Sequence, residues 1–106
     1  MELSRVCPVV NVIQLISKRW VLFIFMAIRD GNHSFNAIRR AYPTMSAKIL
    51  SERLLELEEQ GYIDRNVLSS RPIRIEYTLT EKGKSLEEAI LIFNDWALKN
   101  KDIILS

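Results

Sequence analysis

The sequence predicts a mainly α-helical domain that carries one small antiparallel β-hairpin, an α+β arrangement. Three observations predict it. Apolar residues recur at helical spacing along most of the chain. The spacing switches to a period of two from Ile73 to Leu79, after an apolar, β-prone stretch of poorer alternation from Tyr62 to Leu68. With three Gly and three Pro among 106 residues, the chain also lacks the many tight turns that an all-β fold needs. The length suits one domain with one modest core, and neither an internal repeat nor a linker divides it, so residues 1–106 read as a single unit. A content of 48% hydrophobic and 26% charged residues is the balance of a folded chain.

Pro8 opens the first helix, where a missing N–H costs nothing. Val9, Val10, Val12, Ile13, Leu15 and Ile16 then follow with helical spacing. A second helix is expected from about Trp20 to Arg29; it is apolar all round, which predicts a buried central helix. Asp30-Gly31-Asn32 is a stop and turn signal. Ser34 is placed to cap a short third helix, Phe35 to Ala41, with Phe35, Ile38 and Tyr42 on one face. After Pro43, either Thr44 or Ser46 can cap a fourth helix that runs to about Gln60 and stops at Gly61. Leu50, Leu54 and Leu57 step by four and three along it and should face the core. Two short helices joined by a tight turn form a helix-turn-helix.

Tyr62 to Leu68 is β-prone. Ile73, Ile75, Tyr77 and Leu79 alternate with Arg74, Glu76 and Thr78 as in a half-buried strand. Ser69-Ser70-Arg71-Pro72 reads as the turn between them, so the helix-turn-helix is expected to carry a wing. Thr80 caps a last helix extending to about Lys101, in which Gly83 is a local weakness. Leu86, Ala89, Ile90, Phe93 and Ala97 share one face of it. Ile92, Trp96, Ile103 and Ile104 widen that stripe beyond what one core covers, which fits packing on a second copy of the chain or a single thick core.

One cysteine, Cys7, excludes an intramolecular disulfide and a cysteine-based zinc site. The start lacks a basic segment followed by a long apolar run, and the longest apolar run, Val21 to Ile28, is too short to cross a bilayer; the expectation is a cytoplasmic protein without a membrane partner. No glycine-rich phosphate loop, nucleophile elbow or metal-ligand cluster is present, so no cofactor, metal or enzymatic activity is expected. His33, the only histidine, reads as a turn residue facing solvent or phosphate rather than a catalytic base.

Net charge is only +2, but it is unevenly distributed. From Ser17 to Arg53 seven basic residues stand against two acidic ones; Leu54 to Asp64 holds four acids and no base; Arg65 to Lys84 holds five bases and two acids. A basic face is the electrostatic footprint of a polyanion partner, although ordinary solvated helix faces would give the same counts. Within this pattern the exposed start of the fourth helix, Ser46, Ala47, Lys48, Ser51 and Glu52, has the small hydroxyl residues and the lysine that suit a recognition helix in a DNA major groove. Arg71 and Arg74 project from the wing toward a flanking groove. Lys18, Arg19, Ser34, Arg39 and Arg40 are candidate phosphate contacts. Ile92, Phe93 and Trp96 are the candidate dimer interface.

These residues resemble the HxlR-type regulators of the wider MarR-like winged-helix group. The resemblance runs from Cys7 to about Trp96 and rests on Cys7-Pro8-Val9, Ser17-Lys18-Arg19-Trp20, Ser34 to Arg40, Ile49 to Ile63, and Ile75 to Gly83 with the preceding Arg71-Pro72. Ser17 and Arg19 depart from the usual glycine before Lys-Trp, Val10 stands where an acid is common, and Glu52 and Leu55 replace residues that are commonly polar and uncharged. The resemblance implies sequence-specific binding of double-stranded DNA as a homodimer built from the first and last helices, and regulation of transcription. It also implies that a cysteine near the N-terminus senses oxidants or electrophiles in some members, which makes Cys7 a candidate redox sensor; its alternative is a small apolar packing residue. A different class of function, a winged-helix module that dimerises without reading DNA, would be favoured if Lys48, Arg71 and Arg74 shared no face with Lys18 or Arg39.

Overall fold

The computed structural model describes residues 7–106. In chain order they form α1 (Pro8–Ile16), α2 (Val21–Arg29), α3 (Phe35–Ala41), α4 (Ala47–Glu59), β1 (Ile63–Ser70), β2 (Ile73–Leu79), α5 (Glu81–Lys99) and α6 (Lys101–Ile104). The architecture is the winged helix-turn-helix.

The core is built where four helices and the base of the hairpin converge. Leu15 of α1, Ile24, Phe25 and Ile28 of α2, Ile38 of α3, Leu50, Leu54 and Leu57 of α4, and Ile63 of β1 are all buried. Met45, in the turn between α3 and α4, is buried too and fixes the crossing of those helices. Ser46, rather than Thr44, caps α4, its Oγ accepting from the Ile49 N–H at 3.1 Å. At the other end Gly61 takes φ +80, the Tyr62 N–H donates to the Leu57 carbonyl and the Gly61 N–H to the Glu58 carbonyl. This is a Schellman closure, and it turns the chain straight into β1.

Three helix expectations change. Trp20 lies outside α2 with φ +76, a left-handed backbone that is unfavourable for any residue except Gly. It closes an elbow that bends α1 against α2 by 82°. Second, α2 is not buried all round: Leu22 and Phe23 are exposed, and the Phe23 ring packs at the surface against Trp20 at 5.4 Å and Tyr42 at 5.2 Å. Third, the last helix breaks at Asn100, whose side-chain amide donates to the Trp96 carbonyl, and restarts as α6. Among the described residues no single helix is long and apolar enough to cross a membrane.

The hairpin pairs Ile63 with Leu79 through Ser70 with Ile73, with a register shift between Val67 and Ser69. Ser69 and Ser70, expected in the turn, are therefore paired strand residues, and Arg71-Pro72, joined by a cis peptide, forms the tip. The predicted alternation along β2 is blurred. Ile75 to Leu79 are all partly buried because helices cover the base of the hairpin, while Ile73 is exposed where nothing underlies the ribbon. His33 is partly buried: its Nε2 lies 3.1 Å from the Ile28 carbonyl, and its own carbonyl accepts from the Tyr77 N–H. It ties the loop before α3 to β2 instead of facing outward.

Candidate nucleic-acid interface

On α4 the core line of Leu50, Leu54 and Leu57 fixes what the opposite side presents. At 100° per residue, Lys48 and Glu52 fall on that side with Ser51 on its flank, and all three are exposed, as are Ser46 and Ala47 at the helix start. The Ser46 hydroxyl is already an N-cap acceptor, so what it has left to offer is its O–H. Leu55 joins the same exposed face.

Two depressions run from the wing along α3. Arg74 and Glu76 of β2 line a groove with Ser34, Phe35 and Asn36 at the start of α3. Asn36 also lines a second depression with Arg39, Arg40 and Pro43. From there the Arg39 Nε donates to the Met45 carbonyl at 3.4 Å, one residue before the Ser46 cap of α4. The groove and the depression, joined at Asn36, offer guanidinium, amide and hydroxyl donors suited to phosphodiester oxygens, with the Glu76 carboxylate among them. Asn36 was not among the residues singled out from sequence. Its spacing of three and four from Arg39 and Arg40 is the signal that could have found it.

Other candidates lie elsewhere. The Lys18 ammonium is engaged by the Glu56 carboxylate in the C-terminal half of α4, and the Arg19 guanidinium stacks over the Trp20 ring at 5.8 Å. Neither lines the groove or the depression. Ser34 caps α3, accepting from the Ala37 N–H. Arg71 stands exposed at the hairpin tip. Ile92, Phe93 and Trp96 are 72%, 70% and 54% exposed on the distal part of α5, away from the core. Cys7 is the N-cap of α1, partly buried, and its side chain makes no capping hydrogen bond.

The sequence model of the family described as HxlR-like helix-turn-helix matches residues 15–104. The chain belongs to this family. Among HxlR-like relatives, the HTH-type transcriptional regulator YvaP of Bacillus subtilis is 41% identical over 98 residues, spanning 92% of this chain and 91% of that protein. Solved structures of similar fold include two regulators. The redox regulator HypR in its reduced form aligns with a TM-score of 0.85 at 34% identity, covering 93% of this chain and 98% of that one. Diamide-treated YodB from B. subtilis aligns with a TM-score of 0.77 at 37% identity, covering 88% and 93%. The HxlR-like chain is therefore a helix-turn-helix transcriptional regulator. Within that frame Glu52 is the one carboxylate on the exposed face that starts α4, suited to accept from a cytosine amine and unfavourable beside phosphate.

Proposed function

We propose that two copies of the chain pair through α1, α5 and α6 and bind duplex DNA in the cytoplasm, with no catalytic role. α4 enters a major groove and the hairpin reaches a flanking groove. The observation that supports this reading is the run of groups from Arg74 through Ser34 and Asn36 to Arg39, whose guanidinium donates to the Met45 carbonyl just before α4. Base contacts fall to Ala47, Lys48, Ser51 and Glu52, and backbone contacts to Arg40, Arg74 and the donors between them. The pairing surface is supported by a second apolar set: Val9 and Ile13 of α1 are exposed along with Ile92, Phe93, Trp96, Leu98, Ile103 and Ile104. Exposed apolar area of that extent on a small chain marks an association surface.

Duplex affinity should fall steeply with salt. A dimer that neutralises about 8 phosphates gives a log–log slope near −7. A titration in which neither genomic nor random duplex binds at low salt overturns the reading.

A narrower reading concerns Cys7, the only cysteine of the chain. It starts α1, which contributes to the proposed pairing surface, and two proteins of similar fold are described by their redox state or by diamide treatment. Oxidation of Cys7 to a bridge between subunits, or capping by a small thiol, would change how the two reading heads are spaced. Diamide should alter duplex binding by the wild type and leave Cys7→Ser unaffected; an equal response in both assigns Cys7 to packing.

A further inference from the structure

The elbow between α1 and α2 is fastened to α4 at two points. Lys18 pairs with Glu56, and the Arg53 Nε donates to the Arg19 carbonyl at 3.0 Å. The two elbow residues are consecutive. The two helix residues are three apart, so they project from the same flank of α4, between its buried leucine line and its exposed Lys48–Ser51–Glu52 face. The elbow is itself a defined shape: Trp20 is held at φ +76, the Val21 N–H donates to the Lys18 carbonyl, and the Ile24 N–H to the Trp20 carbonyl. Stopping α1 at Ile16 is what leaves the Arg19 carbonyl free to accept from α4.

We propose that Arg53 and Glu56 are positioning residues: they clamp α4 to the α1–α2 elbow and so set the angle at which Lys48, Ser51 and Glu52 meet the bases. The proposal rests on the reading of α4 as the helix that enters the groove. Its physical basis is directionality. Three buried leucines fix the face that α4 turns to the core and leave only a small adjustment of its tilt and rotation. Two polar contacts one turn apart, on two adjacent residues, resist both. Glu56 depends on the clamp as well, since its Oε1 is buried without a hydrogen-bond partner among the described residues and the Lys18 ammonium is the charge that balances it. The same geometry reassigns Lys18. It lies against Glu56, eight residues beyond Lys48 and so about 12 Å along the helix axis, and it acts through α4 rather than on a phosphate.

The two roles for Lys18 predict opposite signs. A duplex is first enriched from a random pool with the wild-type protein, and binding is then measured on that duplex and on a shuffled one. Under the clamp, Lys18→Met and Glu56→Gln each weaken binding to the enriched duplex by about fivefold, change the shuffled duplex by less than about twofold, and leave the salt slope unchanged. Arg53→Met gives the same pattern. The exchange Lys18→Glu with Glu56→Lys restores the preference. If Lys18 is a phosphate contact, Lys18→Met weakens both duplexes equally and lowers the salt slope by about 1. Glu56→Gln then tightens both, because it removes a negative charge and releases Lys18; that result overturns the clamp. Thermal melting identifies any single variant that loses its fold, and in that case the exchanged pair decides: restored preference supports the clamp and unrestored preference overturns it. Failure of the wild type to enrich any duplex overturns the DNA reading and the clamp together, whereas enrichment followed by indifference of all the variants overturns the clamp alone.

Discussion

Gly83 shows how a single hydrogen atom can decide a position. Judged by helix propensity, a glycine in the first turn of α5 is a weakness that alanine would repair by about 1 kcal/mol. In the fold the sign reverses. A Cβ at residue 83 would sit 2.0 Å from the Tyr62 carbonyl oxygen and 3.1 Å from its carbon, both backbone atoms that cannot turn aside. Gly83→Ala should therefore destabilise the protein by about 3 kcal/mol through overpacking. Denaturant unfolding checks this: the midpoint should drop with an unchanged slope, and a midpoint at or above wild type would mean that the junction yields. Propensity is a property of the residue alone, so no local pattern could reveal this constraint. The same holds for Lys18, whose partner Glu56 is 38 positions away and leaves no spacing to read. By contrast, the caps Ser34 and Thr80, which accept from N–H groups three residues on, were legible because donor and acceptor are neighbours in the chain, and for α4 the choice narrowed to Thr44 or Ser46, of which Ser46 is the cap.

Among the elements, the hairpin divides into a covered base and a free tip. Ile63 is buried and Tyr77 is bonded to His33, while Val67, Leu68 and Ile73 are exposed along the distal half. The sequence located β1 by its β-prone composition and β2 by its period but extended the alternation over the whole of β2, because period reports which face a residue takes and not whether anything lies beneath it. Helix ends drifted for local reasons: Trp20 takes a left-handed backbone that its residue type does not announce, and Asn100 ends α5 by donating its side-chain amide to the Trp96 carbonyl. The free tip gives a test of the wing. Arg71→Ala should weaken duplex binding by about 1–3 kcal/mol if its guanidinium enters a groove. A phosphate contact would instead weaken every sequence alike and reduce the salt slope by about 1. Unchanged affinity and slope remove Arg71 from the interface and leave Arg74, beside Ser34 and Asn36, as the wing's contribution.

At the scale of the whole molecule the shape is drawn out to 51 × 33 × 24 Å because α5 leaves the core after Ile90. Beyond that point it carries Phe93 and Trp96, with ring centroids 6.1 Å apart, into solvent. An aromatic pair in the open is a natural anchor for a second copy. Trp96→Asp should yield a monomer or aggregate that no longer binds duplex DNA tightly; sedimentation of the variant as a dimer with normal DNA affinity would place the pairing surface elsewhere. The core-facing part of α5 is fixed quite differently. The Thr80 N–H donates to the Tyr62 carbonyl, the Thr80 hydroxyl to the Gly61 carbonyl, and the Lys82 ammonium to the Gln60 carbonyl, with Gly83 pressed against the same strand of backbone. The chain thus departs into the hairpin and returns from it at one seam of hydrogen bonds, which makes the hairpin a closed detour. Residues inserted at Arg71-Pro72 would lengthen the detour and leave the helices on either side where they are, since exposed tips absorb added length. One residue inserted between Gln60 and Tyr62 would move the carbonyl that Gly83 fits and pull every helix after it out of register. The reach of the wing is free to be edited in length, and the seam at its base is not.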